Sequence, residues 1–352
     1  MVVMDPSTVA AVILAAGAGT RFGRPKADVR VGSRTLLGVA VDAATAAGLD
    51  PVIAVVPPGV SAPAAARTVT NDRPSAGLSR SLQLGLAAAG SEAEAAVVLL
   101  ADQPTVGAAL IARLVGARGR TPLVATRGGN VLGPPVLLER EAFGLADALS
   151  GDVGLRDLLR GSHTELTAVD VGAPMPDVDT PADLERMTET CPGCGERYLP
   201  QELDETHPYI GASPACWAAF GELLAREFGD IAYGRVHRHT VDVYAVQHPG
   251  TDERRQRQSV AVHLVALCHW LELEVPVERL NAITQRLASA DRPWPWLEPP
   301  VGYPMTVADV LEARSGVEHG ALVRRWGVAT WNAWSEHHEL VRGWAREALG
   351  GR

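Results

Sequence analysis

A glycine-rich loop near the start of the chain carries the residue types of a phosphate-binding site. Residues 15–26 read AAGAGTRFGRPK, which offers three glycines, a threonine, two arginines and a lysine. Glycines let the backbone approach a ligand closely, so that successive N–H groups can face phosphate oxygens. Arg21 and Lys26 would add positive charge where a polyphosphate lies.

This loop differs from the two better-known phosphate loops, because it lacks both the GKS or GKT ending and the GxGxxG spacing. An ordinary turn between a strand and a helix therefore remains the alternative. Lys26 is nevertheless the only lysine in a chain with 32 lysines and arginines. A sequence that uses arginine everywhere else favours a specific requirement for a compact ammonium group at this position.

Two aspartates near the ends of apolar runs could together hold a divalent cation. Asp102 closely follows the run AAVVLL at 95–100, and Asp179 opens the segment DTPADL. An acid at the end of a strand is often only a helix cap or a turn former. Asp179 could have such a role, with Thr180 capping a helix that begins at Pro181. If the two carboxylates converge beside the loop, they suit Mg²⁺, which prefers one or two carboxylates with substrate phosphates and water.

A CxxC motif in the second half of the chain, CPGCG at 191–195, is of the kind that presents two thiolates to one zinc ion. Further ligands must come from elsewhere, and the candidates are Cys216, His237, His239, His248 and His263. We expect the zinc set to be Cys191, Cys194, Cys216 and His248. Free structural thiols are one alternative. A redox pair is another, although no βαβ unit surrounds this motif.

The stretch 236–249, VHRHTVDVYAVQHP, is the other dense group of polar residues. Its members are close enough in sequence to form a small polar site: His237, His239, Asp242, Tyr244 and His248. A half-buried strand or helix with solvated histidines is the equally weighted alternative.

The composition changes near residue 190, which predicts two folding units. All eight Trp, all five Tyr and all four Cys lie after this point. We therefore expect one domain at 1–188 and a second, mainly helical domain at 189–352. Four tryptophans at roughly helical spacings are expected in its core: Trp326, Trp331, Trp334 and Trp344. Its helices are predicted at 214–228, 257–272, 276–289, 306–313 and 320–349.

The first domain alternates strands with helices, which predicts an α/β three-layer fold with a mostly parallel sheet. The predicted strands are 9–15, 52–57, 95–100 and 121–126. The predicted helices are 35–48, 79–89 with Ser79 as N-cap, 105–117 and 181–189. Ligands bind beyond the carboxyl ends of the strands in such sheets, where both the loop and Asp102 are expected.

Six segments of this domain, in this order, resemble those of the MobA-like nucleotidyltransferases, and most closely the molybdenum cofactor cytidylyltransferases. They are LAAGAGTRFGRPK (14–26), NDRPSAGLSRSL (71–82), LLADQP (99–104), GPPVLL (133–138), LSGDVGLRDLL (149–159) and DVDTPADL (177–184). The resemblance spans about 9–188. It implies a Rossmann-like nucleotidyltransferase fold that moves a nucleotidyl group from a nucleoside triphosphate to a phosphate acceptor and releases pyrophosphate.

The resemblance also implies roles for individual residues. Arg21 and Lys26 would hold the triphosphate, and with Asp102 they would form the catalytic set; Asp102 and Asp179 would bind Mg²⁺. The nucleotide-binding set would be Ala15, Ala16, Gly17, Gly19, Thr20, Arg21, Lys26, Gly77, Ser79 and Ser81.

The choice of nucleotide and acceptor rests on finer features of the same resemblance. The AAG at 15–17 is similar to the cytidylyl members and favours CTP, with molybdopterin or the molybdenum cofactor as acceptor. Gly133-Pro134-Pro135 stands where those enzymes are expected to have Gly-His-Pro, which weakens the assignment of the acceptor. Gly151-Asp152 with Arg156 is a candidate acceptor patch, a helix cap with a surface arginine being the alternative. Another acceptor, such as a sugar phosphate, and a non-catalytic nucleotide-binding adaptor are the alternative functions.

The second domain resembles an uncharacterised bacterial domain family in its CPGCG start and its QHP element, and this resemblance implies no function. A molybdoenzyme or its maturation factor is the protein partner that the first domain's resemblance suggests.

The net charge of −9 argues against nucleic acid as the main partner. No apolar run reaches the roughly 18–20 residues of a membrane span. The first residues show no basic leader, and four cysteines are too few for a disulfide scaffold, so we expect a cytoplasmic protein.

Overall fold

The computed structural model describes residues 9–350 except 18, 152, 156–158, 161–164, 202–206 and 208. It divides the chain into two compact units that meet between Met187 and Thr188. Two residues of the predicted acceptor patch, Asp152 and Arg156, lie outside the described residues.

The first unit is built on a seven-stranded sheet. Its strands are β1 (Val9–Leu14), β4 (Val52–Val56), β5 (Arg67–Thr70), β6 (Ala95–Leu100), β7 (Leu123–Gly128), β8 (Val131–Glu139) and β9 (Leu166–Gly172), while β2 (Arg30–Val31) and β3 (Arg34–Thr35) form a separate hairpin. The strand order in the sheet is β5-β4-β1-β6-β8-β7-β9. β8 runs antiparallel to both neighbours, and the other pairs are parallel. The predicted, mostly parallel sheet is therefore confirmed.

Both faces of this sheet are buried, which explains the unbroken apolar runs in the sequence. Val9, Ala11 and Ile13 of β1 belong to one core, and Ala10 and Val12 belong to a second core on the opposite face. A strand that is buried on both sides has no need for polar alternation. The helices of this unit include α1 (Leu36–Ala46), α2 (Leu78–Ala88), α3 (Ala108–Gly116) and α4 (Pro181–Met187).

The start of α2 differs from the prediction that Ser79 caps it. The helix begins at Leu78 with Gly77 as the N-cap residue, whose φ of 92° lies in the region that favours glycine. The Ser79 hydroxyl instead donates to the carbonyl of Gly151, at 2.8 Å. The assignment of Ser79 as a cap was therefore wrong, because the turn before the helix is set by a glycine.

The second unit is mainly helical, and a short antiparallel hairpin, β10 (Glu189–Thr190) and β11 (Arg197–Tyr198), opens it. The four tryptophans predicted in its core are at most 5% exposed. Its helices are α5 (Pro214–Gly229), α6 (Ile231–Gly234), α7 (His237–Gln247), α8 (Arg254–Leu271), α9 (Val277–Ser289), α10 (Val307–Val310), α11 (Gly316–Ala333) and α12 (His338–Gly350).

The single helix predicted at 320–349 is two helices in the structure. α11 ends at Ala333, and a 3₁₀ turn at Ser335–His337 separates it from α12. One straight helix of thirty residues would be about 45 Å long, too long to remain against one small core. The break allows tryptophans from both helices to be buried in the same core. Within the described part of the chain, no helix is both long and apolar enough to cross a membrane.

Candidate functional site

Three of the predicted site residues meet beyond the carboxyl end of β6. The Nζ atom of Lys26 donates to Oδ2 of Asp102 at 2.9 Å and to Oδ1 of Asp179 at 2.6 Å. Asp102 follows β6, Asp179 precedes α4, and Lys26, the last residue of the glycine-rich loop, begins a 3₁₀ turn. The sheet thus brings together two carboxylates that are distant in sequence, and one cation lies between them.

The electrostatics of this cluster keep Lys26 charged. Partial burial acts to lower the pKa of Lys26, but the hydrogen bonds to Asp179 and Asp102 and their negative charges outweigh it, so the pKa is raised above its usual value. Two carboxylates and one ammonium leave an excess of one negative charge. The cluster is therefore suited to a further cation.

The segment that carries Asp179 is tied to the end of β6 by two contacts. The backbone N–H of Val178 donates to the carbonyl of Asp102 at 2.7 Å. The side-chain Nε2 of Gln103 donates to Oδ1 of Asp177 at 2.8 Å. Sequence reasoning quoted Gln103 within LLADQP and Asp177 within DVDTPADL but assigned neither a role, and their positions beside Asp102 and Asp179 were the available signal.

A reciprocal cap starts the helix that follows Asp179. The backbone N–H and the hydroxyl of Thr180 donate to Oδ2 of Asp183 at 2.7 Å, and the Asp183 N–H donates back to the Thr180 hydroxyl. The N–H of Asp179 donates to the same carboxylate, at 3.1 Å. The Thr180 hydroxyl is the main cause of the lowered pKa of Asp183. The predicted cap by Thr180 is confirmed, and it leaves the Asp179 carboxylate to face Lys26.

A cavity of about 610 Å³ opens beside Asp102. The predicted residues among those that line it are Ala16, Gly17, Gly77, Ser81 and Asp102. The Ser81 hydroxyl accepts from Nδ2 of the fully buried Asn71, which fixes the first turn of α2 at the cavity wall. This volume is within the range of small-molecule sites, and the cavity adjoins the charged cluster.

The glycine-rich loop requires glycine at one position for its shape. Gly19 has a φ of 59°, and a Cβ atom there would lie 2.0 Å from the carbonyl oxygen of Arg24. Thr20 and Arg21 follow in an exposed 3₁₀ turn. Six predicted nucleotide-binding residues are not among those that line the cavity: Ala15, Gly19, Thr20, Arg21, Lys26 and Ser79. Of these, Ala15 is buried at the end of β1, and Ser79 is buried against Gly151.

The second unit contains a candidate metal centre formed by Cys191, Cys194, Cys216 and His248. One potential ligand atom from each residue lies within 4.8 Å of those of the other three, and all four residues are at most 2% exposed. The Sγ atoms of Cys194 and Cys216 are 3.8 Å apart, and the latter is 3.3 Å from Nε2 of His248. The pKa of the Cys191 thiol is lowered, mainly by its hydrogen bond with Cys194. The pKa of the Cys194 thiol is raised, mainly by the same hydrogen bond.

The surroundings orient these four side chains toward a common point. Nδ1 of His248 lies 2.8 Å from the carbonyl oxygen of Tyr244, so it donates there and Nε2 is left with a lone pair toward the thiols. The N–H of Ser213 donates to Sγ of Cys191. A Cβ on Gly193 would lie 2.5 Å from the His248 ring, so the CPGCG turn requires glycine to pack there.

The other histidines named as candidates have different partners. Nδ1 of His237 lies 2.8 Å from the buried Glu227, and Nδ1 of His263 lies 2.6 Å from Asp242. His239 stacks on Trp270 with ring centroids 3.9 Å apart. Most of the segment 236–249 is the helix α7. Its three residues His237, His239 and Asp242 have different partners, whereas Tyr244 and His248 both contact Cys216. The single polar site considered for this segment was therefore wrong.

Comparisons with known proteins agree with the division into two units. Residues 11–168 match a family described as the MobA-like NTP transferase domain. Residues 189–335 match a family of unknown function, DUF5946. No curated protein matches the chain.

Solved structures similar to this chain cover about half of it. A homologue of Mycobacterium tuberculosis Rv0371c from Mycobacterium sp. strain JC1 is 30% identical, with a TM-score of 0.46, and the match covers 51% of this chain and 94% of the homologue. Rv0371c in complex with manganese is 29% identical, with a TM-score of 0.44, and the match covers 51% of this chain and 96% of Rv0371c. A nucleotidyl transferase from Methanothermobacter thermautotrophicus is 22% identical, with a TM-score of 0.43, and the match covers 51% of this chain and 94% of that enzyme.

Proposed function

Residues 11–168 form a MobA-like NTP transferase domain, and from this we propose that the protein transfers a nucleotidyl group from a nucleoside triphosphate to a phosphorylated small molecule. The observation that carries the proposal is the convergence of Asp102, Asp179 and Lys26 beside the cavity lined by Gly17 and Gly77. A family match alone does not supply a site, whereas this cluster offers an ammonium group and two carboxylates that would hold a divalent cation for a triphosphate.

The residues at the cluster fit a divalent cation, which we propose to be Mg²⁺. The Lys26 ammonium is a cation that already contacts both carboxylates, so the two oxygens are placed to share one positive charge. Asp102 and Asp179 would hold the ion. Bound there with substrate, Mg²⁺ would neutralise phosphate charge and act as a Lewis acid.

The side chains of the chain would mainly position the reactants and balance their charge. An acceptor phosphate oxygen forms the new bond to the α-phosphorus while the bond from that phosphorus to pyrophosphate breaks, so no side-chain nucleophile is required. We assign Arg21 and Lys26 to the leaving pyrophosphate and the backbone at Gly17 and Gly19 to the phosphates. Gly77 and Ser81, which also line the cavity, are assigned to the base and ribose.

The finer assignment is CTP as donor and molybdopterin or the molybdenum cofactor as acceptor. It is supported by the AAG at 15–17, whereas Pro134, in β8, stands where histidine is expected and argues against this acceptor. Incubation with Mg²⁺, CTP and molybdopterin tests it through release of pyrophosphate and formation of a cytidylylated pterin. Binding of CTP without transfer to the pterin would redirect the search to another phosphorylated acceptor, such as a sugar phosphate. Nucleotide binding that gives no turnover with any phosphorylated acceptor would support the adaptor alternative.

For the second unit we propose a structural zinc site formed by Cys191, Cys194, Cys216 and His248. Three thiolates and one imidazole are a tetrahedral zinc set, and burial of all four leaves no open position for a substrate. The site would join the β10–β11 hairpin, the start of α5 and the end of α7, which are far apart in sequence. Metal analysis of the purified protein should give about one zinc per chain.

A further inference from the structure

Gln103 has a buried side chain immediately after Asp102. It is 3% exposed, and its Nε2 donates to Oδ1 of Asp177 at 2.8 Å. Its Oε1 has no hydrogen-bond partner among the described residues. The orientation of the buried Gln103 amide therefore depends on the one hydrogen bond that its Nε2 makes. That bond is to a carboxylate, which makes it stronger than a bond between two neutral groups.

The partner of Gln103 lies two positions before Asp179. Each residue of the segment 177–179 is held at the end of β6: Asp177 by Gln103, Val178 by its backbone bond to Asp102, and Asp179 by Lys26. Val178 is fully buried, so the segment cannot shift without exposing it. Besides Lys26, the contact between Gln103 and Asp177 therefore helps to set the distance between the two carboxylates that we assign to Mg²⁺.

We propose that Gln103 is a positioning residue for the divalent-cation site, acting through Asp177 on the location of Asp179. This inference rests on the proposed function, because it needs Asp102 and Asp179 to be cation ligands. Substitution of Gln103 by glutamate would put two carboxylates within hydrogen-bond distance of each other. Like charges at that separation repel, and the segment that carries Asp179 would move away from Asp102.

The test compares Mn²⁺ affinity in the full-length protein and in three variants. Mn²⁺ suits carboxylate ligands and can be titrated with and without CTP. Gln103→Glu should weaken Mn²⁺ binding by about 10-fold or more, the range found when partners behind metal ligands are lost. Asp177→Asn should change it little, because the asparagine carbonyl still accepts from Gln103. The double variant Gln103→Glu/Asp177→Asn restores a hydrogen bond with donor and acceptor exchanged, and should recover most of the affinity.

Three results would overturn the proposal. Wild-type Mn²⁺ affinity in Gln103→Glu would exclude the positioning role. A double variant as weak as Gln103→Glu would show that the effect does not pass through Asp177. If Gln103→Glu does not fold, Gln103→Leu replaces it and should also weaken Mn²⁺ binding. Wild-type Mn²⁺ affinity in Gln103→Leu would contradict the proposal. Absence of Mn²⁺ binding in the wild-type protein would instead remove the cation site of the proposed function, and this inference with it.

Discussion

The ammonium nitrogen of Lys26 lies 2.6 Å from a carboxylate oxygen of Asp179, although 153 positions separate the two residues. This contact joins the glycine-rich loop near the start of the first unit to the segment before its last helix. Because Lys26 also contacts Asp102, one ammonium group contacts both carboxylates and leaves one negative charge unbalanced. A chain with a single lysine places it where a compact cation fits between two acids, which gives a physical reason for its departure from arginine.

Replacement of Asp102 by asparagine should reduce turnover by about 100-fold or more, since loss of one preorganised electrostatic contact at a reacting phosphate has effects of this size. The fold should be retained, because the Asp102 side chain is partly exposed at the end of a strand. Steady-state pyrophosphate release and thermal unfolding measure the two effects separately.

The matched control for Asp102→Asn is Asp42→Asn, which removes a carboxylate that pairs with Arg34 on the surface of α1. Such pairs contribute about 0–1 kcal/mol, so this variant should keep wild-type turnover. Equal activity in both variants would remove Asp102 from the mechanism.

Two glycines of the loop should respond differently to alanine. Gly19→Ala introduces a Cβ 2.0 Å from a carbonyl oxygen and requires a left-handed backbone, so it should lower the melting temperature of the first unit as well as nucleotide affinity. Gly17→Ala meets nothing within 4 Å, so the melting temperature should be unchanged. Because Gly17 lines the cavity, nucleotide affinity should still fall. Normal nucleotide binding in both variants would show that the loop does not contact the ligand.

Loss of the proposed zinc should unfold the second unit selectively. Structural zinc contributes on the order of 10 kcal/mol of binding free energy to folding, so Cys191→Ser should lose both the metal and the tertiary structure of this unit. Tryptophan fluorescence reports only this unit, because all eight Trp lie after residue 190. Cys268→Ser is the control, since Cys268 is equally buried but lies outside the four-residue cluster. A metal-free protein with a normal fluorescence spectrum would contradict the zinc assignment.

Acid should destabilise the second unit partly through His239. Burial lowers the pKa of His239 to about 4, with Arg238 and Arg324 acting in the same direction and Asp242 opposing them. Between about pH 6.5 and pH 4 the unfolded chain takes up a proton that the folded protein does not, so the free energy of unfolding falls as the pH falls. His239→Phe keeps an aromatic ring stacked on Trp270 but cannot take up a proton. Its free energy of unfolding should therefore depend less on pH than that of the wild-type protein. Urea unfolding at pH 7 and pH 5 compares the two proteins, and identical slopes with pH would exclude His239.

The sequence predicted the layers of the first unit and the members of its charged cluster, because motifs at strand ends indicate which edge of a parallel sheet they occupy. It could not show that Asp179 reaches Lys26, since that depends on β9 and the segment after it returning to the end of β6. Gln103 escaped assignment because an amide after a strand has many ordinary roles. Only its contact with Asp177 distinguishes it from them.

The zinc ligands illustrate a different limit. His237 and His248 lie eleven positions apart, at the start and just beyond the end of α7, so about 16 Å of helix separates them and they cannot share one ion with the same cysteines. The sequence of 236–249 is compatible with a strand or a helix, and helix geometry does not reveal which end faces the CPGCG turn. The packing of α5 against α7 decides it, because it brings Cys216 to His248.

The most direct test of the central claim is calorimetric unfolding of the full-length protein with Mg²⁺ and, separately, CTP, GTP, ATP and UTP. At about 100 times its dissociation constant a ligand adds roughly 2.7 kcal/mol to the stability of the state that binds it. We predict that CTP raises the unfolding temperature of the first unit, that this shift requires Mg²⁺, and that it is absent from Asp102→Asn. The unfolding temperature of the second unit, followed by tryptophan fluorescence, should stay constant. A preference for GTP would overturn the choice of CTP and keep the transferase assignment. No shift with any of the four nucleotides would contradict the claim that this site binds a nucleoside triphosphate.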